Sequence, residues 1–237
     1  MVLFGDESQN IYQIDVDENK SVKIHGFGRW ERLSKSYRSQ HDSQLLSLVK
    51  DFQKEYLFSK YDIDLIETKP TQSVLAFDTL AQVPLPCNEN ENFNLIYKII
   101  FTIVGQKEIH PNDITIVSKN INLLRGLDKL IRENSGEETM RTFETEEVYQ
   151  AICDRERDEI LKKHKYKEDA KTKREIQKRV DNELKKLRDS KKFSFELNSG
   201  HLKLSTIHSF KGIESSFVVY IVTNQDIEEI TYTAITC

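Results

Sequence analysis

Hydrophobic and polar residues recur with different periods along the chain, and each period predicts a different element. Short runs of β-branched residues predict strands, whereas apolar residues at every third or fourth position predict amphipathic helices. Strands that alternate with helices of this length are typical of an α/β fold with a parallel sheet flanked by helices. The predicted strands are 2–4, 73–77, 113–117, 202–207 and 217–222. The predicted helices are 40–57, 92–104 and 122–133.

One segment, 144–192, interrupts the predicted sheet and has a different pattern. Four apolar residues form a narrow helical stripe in an otherwise charged sequence. Within it, residues 151–192 hold 16 Lys/Arg and 10 Asp/Glu, so this stretch is +6 while the rest of the chain is −10. We expect a helical hairpin or a long helical arm. The stripe consists of Ile176, Val180, Leu184 and Leu187.

The charge of this segment has two interpretations, and the sequence leaves both open. In the first, the charged side chains form a solvated helix face. In the second, the arm contacts DNA phosphates, and its affinity falls steeply with salt. The candidate contacts in that case are Lys162, Lys163, Lys165, Lys171, Lys173, Arg174, Lys178 and Arg179.

Composition narrows the class of protein. A hydrophobic content of 38% with four prolines is typical of a soluble, helix-rich globule. No run approaches the ~18 apolar residues of a membrane span, so we expect no membrane partner. Cys87, Cys153 and Cys237 are far apart and lack metal-site spacing, which argues against a disulfide framework or a zinc site. A reducing, cytoplasmic location is therefore expected.

Four segments place polar side chains beside strand-like or helical runs, in a fixed order along the chain. They are 3–12 (LFGDESQNIY), 33–39 (LSKSYRS), 204–214 (LSTIHSFKGIE) and 232–237 (YTAITC). These segments resemble motifs III, IV, V and VI of the UvrD/Rep-like superfamily 1 DNA helicases, in the same order. The resemblance extends from the third residue to the last.

The resemblance implies a RecA-like motor domain. In that interpretation, 1–28 is a remnant of the first RecA-like domain, and 29–143 and 193–237 are the two parts of the second. The charged segment 144–192 is a helical insertion into this second domain. Such a domain completes an ATP site at the cleft between two domains and moves along single-stranded DNA.

Five residues are implied on the nucleotide side of the site. Arg38 would contact the γ-phosphate, a role that suits a permanently charged, planar guanidinium. Gln9 would sense the γ-phosphate, and Tyr37 would stack on the adenine. Glu214 would accept from the ribose hydroxyl, and Gly212 would allow a close backbone approach. The plainer alternative is that Tyr37 and Arg38 begin a helix and Arg38 forms a surface ion pair.

A second group of residues is implied on the DNA side. Stacking on an aromatic ring suits sequence-independent contact with bases, and hydroxyl, imidazole and ammonium groups suit contact with the strand. The implied DNA-contacting residues are Tyr12, Thr206, His208, Ser209 and Lys211.

Other helicase features have no counterpart in this sequence. It contains no G-x-x-x-x-G-K-[ST] segment to cradle a triphosphate. It also lacks the Asp-Glu pair that would hold magnesium, which in this family follows a hydrophobic strand ahead of motif III. ATP and Mg²⁺ are therefore expected only in an intact helicase with a Walker-bearing N-terminal domain or subunit, and no cofactor is expected on this chain alone. Cys237 aligns with the arginine finger of motif VI, and a thiol cannot supply that charge.

Two functions follow. The first is the C-terminal motor domain of an ATP-dependent helicase, inactive in ATP hydrolysis by itself. The second is a truncated or decayed non-catalytic module that binds nucleic acid or a protein through the helical insertion.

Overall fold

The computed structural model describes two compact units. One contains the described parts of 1–84 and 225–236, and the other those of 85–224. The described residues are 43–61, 80–83, 89–136, 138–166, 169–195, 198–211, 213, 215–224 and 226–236. Their helices are α1 (Ser43–Phe52), α2 (Glu89–Lys107), α3 (Ile121–Ser135), α4 (Glu146–Lys163), α5 (Ala170–Phe193), α6 (Ile207–Phe210) and α7 (Glu228–Ile235). Their strands are β1 (Ile114–Ser118), β2 (Thr139–Arg141), β3 (Leu202–Thr206) and β4 (Phe217–Tyr220).

The four described strands form one sheet in the order β2-β3-β1-β4, and every neighbouring pair is parallel. In the middle of the sheet, Ile116 of β1 is aligned with Leu204 of β3 on one side and Val219 of β4 on the other. The predicted α/β class with a parallel sheet flanked by helices is thus confirmed. The predicted strands 2–4 and 73–77 lie outside the described residues.

The core of the second unit lies between this sheet and the helices α2 and α3. All five residues of β1 are buried, as expected for a central parallel strand covered on both faces. The apolar residues of α2 and α3 that pack there recur at three- and four-residue spacing. They include Ile96, Ile100, Leu124, Leu127 and Ile131.

Local sequence signals explain where α3 begins and ends. The side chain of Asn120 accepts hydrogen bonds from the backbone N–H groups of Asn122 and Leu123, which is an N-cap. Gly136 follows the last turn with φ of 67°, a conformation that glycine adopts without steric cost. These two caps extend the predicted helix 122–133 by one residue at its start and two at its end.

Two short elements were not predicted. The strand β2 has three residues, too few to show an alternating pattern. The helix α6 begins at Ile207, so β3 ends at Thr206. The predicted strand 202–207 is therefore one residue too long. The cause is burial of both Ile207 and Phe210, since residues three apart share a face only in a helix.

The segment 144–192 contains the predicted helices. The side chains of Thr145 and Asp169 cap α4 and α5 respectively. The two helices pack against each other, and Val180 and Leu184 of the predicted stripe are buried along with Ile160 of α4. We refer to α4, α5 and the turn between them as the hairpin.

The described part of the first unit contains α1 and α7. The predicted helix 40–57 is confirmed over 43–57, where α1 continues as a π-helical turn, Gln53–Leu57. A buried hydrogen bond of 2.8 Å runs from the amide of Gln53 to the hydroxyl of Tyr232 in α7. The segment that resembles motif VI therefore begins in a helix, with Tyr232 buried against α1.

Among the described residues, none of the helices combines the length and the apolar character that crossing a membrane requires.

Candidate functional site

The carboxyl ends of the four parallel strands meet at one edge of the sheet. Three of these strands have a polar side chain at or just after their last residue. Ser118 ends β1, Thr142 follows β2, and Thr206 ends β3. The Ser118 hydroxyl donates to the carbonyl of Ile221 at 3.0 Å and accepts from the backbone N–H of Asn120 at 3.2 Å. This edge is where α/β proteins bind ligands.

Four hydroxyl groups form a connected cluster at this edge. The hydroxyls of Thr142 and Ser205 lie 3.0 Å apart, and both residues are buried. The Thr142 hydroxyl also accepts from the backbone N–H of Thr206 at 3.4 Å. The Thr206 hydroxyl in turn donates to Ser209 at 3.1 Å. The buried pair of hydroxyls is thus linked to the half-buried pair through the backbone of Thr206.

The helix α6 determines which side chains of the segment after β3 remain accessible. Ile207 and Phe210 are each only 1% exposed and fasten the turn to the core. The backbone N–H of Lys211 closes the turn on the carbonyl of Ile207 at 3.0 Å. His208 and Ser209 are half-buried, and Lys211 is exposed. The burial of the apolar pair therefore leaves imidazole, hydroxyl and ammonium groups toward solvent.

The structure describes four of the predicted site residues. It brings Thr206 and Ser209 into contact, and it places His208 and Lys211 in and just after the same helical turn. Thr142 was missed, because it follows the unpredicted strand β2. The remaining predicted residues lie outside the described residues: Gln9, Tyr12, Tyr37, Arg38, Gly212 and Glu214.

This arrangement can bind oxyanions. A hydroxyl can donate to a phosphate oxygen while accepting from a neighbour, and an ammonium adds a charge-assisted contact. As to metals, no group of three or more His, Cys, Asp and Glu side chains is placed to hold an ion in the described ranges.

A buried ionic cluster joins α5 of the hairpin to α3. Glu144 is fully buried, and Arg188 of α5 donates two hydrogen bonds to its carboxylate, at 2.8 and 2.6 Å. These hydrogen bonds raise the pKa of the Arg188 guanidinium. Arg125 of α3 lies 3.7 Å from the same carboxylate, donates to Glu146 at 3.1 Å, and stacks on Tyr149 at 3.9 Å. We call these five residues, Glu144, Arg188, Arg125, Glu146 and Tyr149, the root cluster.

A second buried carboxylate lies nearby in sequence. Asp128 accepts from Arg132 at 3.0 Å and from Arg141 at 2.9 Å, and also from the hydroxyl of Thr139. Burial lowers the pKa of Lys191, and the positive charge of Arg141 lowers it as well. The bonds to Asp128 tie the edge strand β2 to α3.

The two helices of the hairpin differ in charge. α4 has four Lys/Arg and six Asp/Glu, whereas α5 has ten Lys/Arg and four Asp/Glu. Ion pairs cross between them: Arg179 lies 3.2 Å from Glu159, and Lys163 lies 2.8 Å from Glu175. Only some of the cations of α5 form ion pairs with α4.

Comparison of this chain with models of protein families, with curated proteins and with solved structures gives no match.

Proposed function

We propose that this chain is the second, RecA-like motor domain of an ATP-dependent DNA helicase or single-strand translocase. The observation that most supports the proposal is the position of the segment after β3. Its accessible polar side chains follow a central strand at the carboxyl edge of an all-parallel sheet. The order of the four motif-like segments along the chain supports the same assignment.

In the proposed function, the segment after β3 contacts the backbone of the DNA strand. Thr206 and Ser209 offer hydroxyls, and Lys211 offers a positive charge to a phosphate. Thr142 acts on this segment indirectly, because its hydroxyl accepts from the backbone N–H of Thr206. It is a positioning residue.

The proposal assigns the nucleotide contacts to the residues identified by resemblance. The phosphate cradle and the Mg²⁺ ligands are assigned to a separate Walker-bearing domain, since the sequence has neither motif. ATP supplies the free energy for movement when both domains enclose it. The residues of this chain assigned to it are Gln9, Tyr37, Arg38, Gly212 and Glu214.

Strand contact is tested by fluorescence anisotropy with a labelled oligothymidine and the full chain. The variant Thr206→Val/Ser209→Ala should lower affinity about tenfold, because each lost hydrogen bond is worth about 0.5–1.5 kcal/mol. Ser135→Ala is the matched control, since Ser135 is a half-buried serine at the far end of α3 whose hydroxyl bonds a backbone carbonyl. Equal affinities for the double variant, the control and the parent would contradict the proposed strand contact.

The nucleotide assignment has its own test. The chain alone should show no steady ATP turnover, because the phosphate cradle is assigned to another domain. Steady hydrolysis that Arg38→Ala abolishes would contradict this division of the site.

The second candidate function, a non-catalytic module that binds through the hairpin, is favoured by one observation. The side of α5 opposite its buried residues, its outer face, carries exposed cations. They form no ion pair in the part of the chain that the structure describes.

A further inference from the structure

A row of cations runs along α5. Lys171, Lys178, Lys185 and Lys192 are spaced seven residues apart, which is nearly two helical turns, so the row winds by only about 20° per step. Successive lysines are about 10 Å apart along the axis and the row spans about 31 Å, at 1.5 Å per residue. Arg174 adds a cation one turn from Lys171. We call these five residues the α5 row.

The α5 row faces away from the rest of the hairpin. The buried residues of α5, which include Thr172, Val180 and Leu184, lie on the opposite side of the helix by the same periodicity. All five cations are exposed, and none forms an ion pair within the described residues. Two exposed carboxylates lie on the same side of the helix: Asp181, between Lys178 and Lys185, and Asp189, between Lys185 and Lys192.

The structure also separates available from engaged cations. Lys163 is held by Glu175, and Arg179 by Glu159 and, at 3.6 Å, by Glu156. These two were among the candidate DNA contacts predicted from sequence, and they are occupied within the hairpin. Lys185 was not among them, nor was Lys192, yet both continue the row.

An exposed aromatic ring lies near each end of α5. Tyr166, in the turn before the helix, is 71% exposed, and Phe193, its last residue, is 96% exposed. Lys165 and Tyr166 both have positive φ, 51° and 59°. The backbone N–H of Tyr166 closes the turn on the carbonyl of Leu161 at 2.7 Å. The Tyr166 ring therefore lies outside the hairpin core.

We propose that the α5 row binds the phosphate backbone of a single-stranded nucleic acid, with Tyr166 and Phe193 stacking on bases at its two ends. A line of cations combined with exposed aromatic rings is how sequence-independent single-strand binding is built. A membrane surface fits less well, because the outer face of α5 has no apolar stripe to insert. The inference rests on the proposed function only for its class of ligand.

The experiment is a salt titration of oligothymidine binding to the full chain. The variant Lys171→Gln/Lys178→Gln/Lys185→Gln should reduce the slope of log K against log salt by about 2, at about 0.7 for each phosphate that is no longer neutralised. The control is Lys54→Gln/Lys98→Gln/Lys129→Gln, three exposed lysines outside the hairpin, which should keep the parent slope. An unchanged slope in the α5 variant overturns the proposal.

The aromatic stacking is tested separately. Tyr166→Asn and Phe193→Ala should each weaken oligothymidine binding about fivefold or more without changing the salt slope. Asparagine is chosen at position 166 because it tolerates positive φ. Full retention of affinity in both variants removes stacking from the proposal. Polyglutamate that binds the α5 row as tightly as oligothymidine overturns it in favour of an acidic protein partner.

The two binding proposals can fail independently. Loss of binding in the Thr206→Val/Ser209→Ala variant with an unchanged slope in the α5 variant supports the edge of the sheet alone. The reverse result supports the α5 row and contradicts the proposed strand contact after β3.

Discussion

The hairpin uses its cations in opposite ways at its root and along its outer face. At the root, Arg188 is fixed by two hydrogen bonds to the buried Glu144. On the outer face of the same helix, Arg174 and the lysines of the α5 row are exposed and form no ion pair among the described residues. Net charge alone cannot separate the two groups. We therefore expect removal of a root cation to disturb the fold and removal of an outer cation to leave the fold intact.

The largest expected effect comes from breaking the root. Arg188→Ala should lower the free energy of unfolding by about 3 kcal/mol, because it leaves the carboxylate of Glu144 buried without its principal partner. Arg174→Ala is the matched control on the outer face of α5 and should change it by less than about 0.5 kcal/mol. Urea unfolding followed by far-UV circular dichroism measures both. Equal losses of unfolding free energy in the two variants would contradict the distinction between the root and the outer face.

A smaller effect is expected at two adjacent positions of α5. Leu184 is buried, and Lys185 is exposed. Leu184→Ala should cost about 2 kcal/mol in unfolding free energy, because it removes the packing of a buried side chain. Lys185→Ala should cost almost nothing and should reduce only the salt dependence of oligothymidine binding. A Lys185→Ala variant as unstable as Leu184→Ala would show that this lysine belongs to the fold.

Leu184 and Lys185 also show how much of the structure could be predicted from the sequence. Helical periodicity was enough to predict α3 and the buried stripe with Val180 and Leu184, because burial there repeats with the helix. The pairing of Glu144 with Arg188 has no such period, since the two residues are 44 positions apart. Distinguishing the occupied Lys163 from the available Lys185 likewise required knowledge of which carboxylate lies across the hairpin.

The candidate site was predictable to a similar extent. The apolar pattern predicted the strand before the site, although one residue too long, and the resemblance to motif V singled out Thr206. The one-turn helix after it was not predicted, because Ile207 and Phe210 give a single repeat. Thr142 reaches the site through β2, which is too short to show a pattern.

The smallest expected effect lies at the tip of the hairpin. Glu175 lies 2.8 Å from Lys163 and 3.0 Å from His164, and hydrogen bonds from Lys163 and then His164 lower the pKa of its carboxyl. A lowered carboxyl pKa stabilises the fold at neutral pH, and that contribution is lost as the pH falls through the folded-state pKa.

Glu175→Gln should therefore lower the melting temperature slightly at neutral pH. The difference should shrink in acid, below the ordinary pKa range of a carboxyl, and in concentrated salt, because exposed pairs are screened. Thermal unfolding of both proteins across a pH series measures it. A difference that grows toward acid would contradict the assigned ion pairs.

Both binding proposals place nucleic acid on named lysines, in the segment after β3 and along the α5 row. Lysine acetylation of the full chain, mapped by mass spectrometry with and without oligothymidine, therefore tests them together and most directly. We expect protection of Lys211, Lys171, Lys178 and Lys185 and unchanged reaction at Lys54, Lys98 and Lys129. Equal protection of both groups, or none at Lys211 and the α5 row, would contradict the proposed contacts.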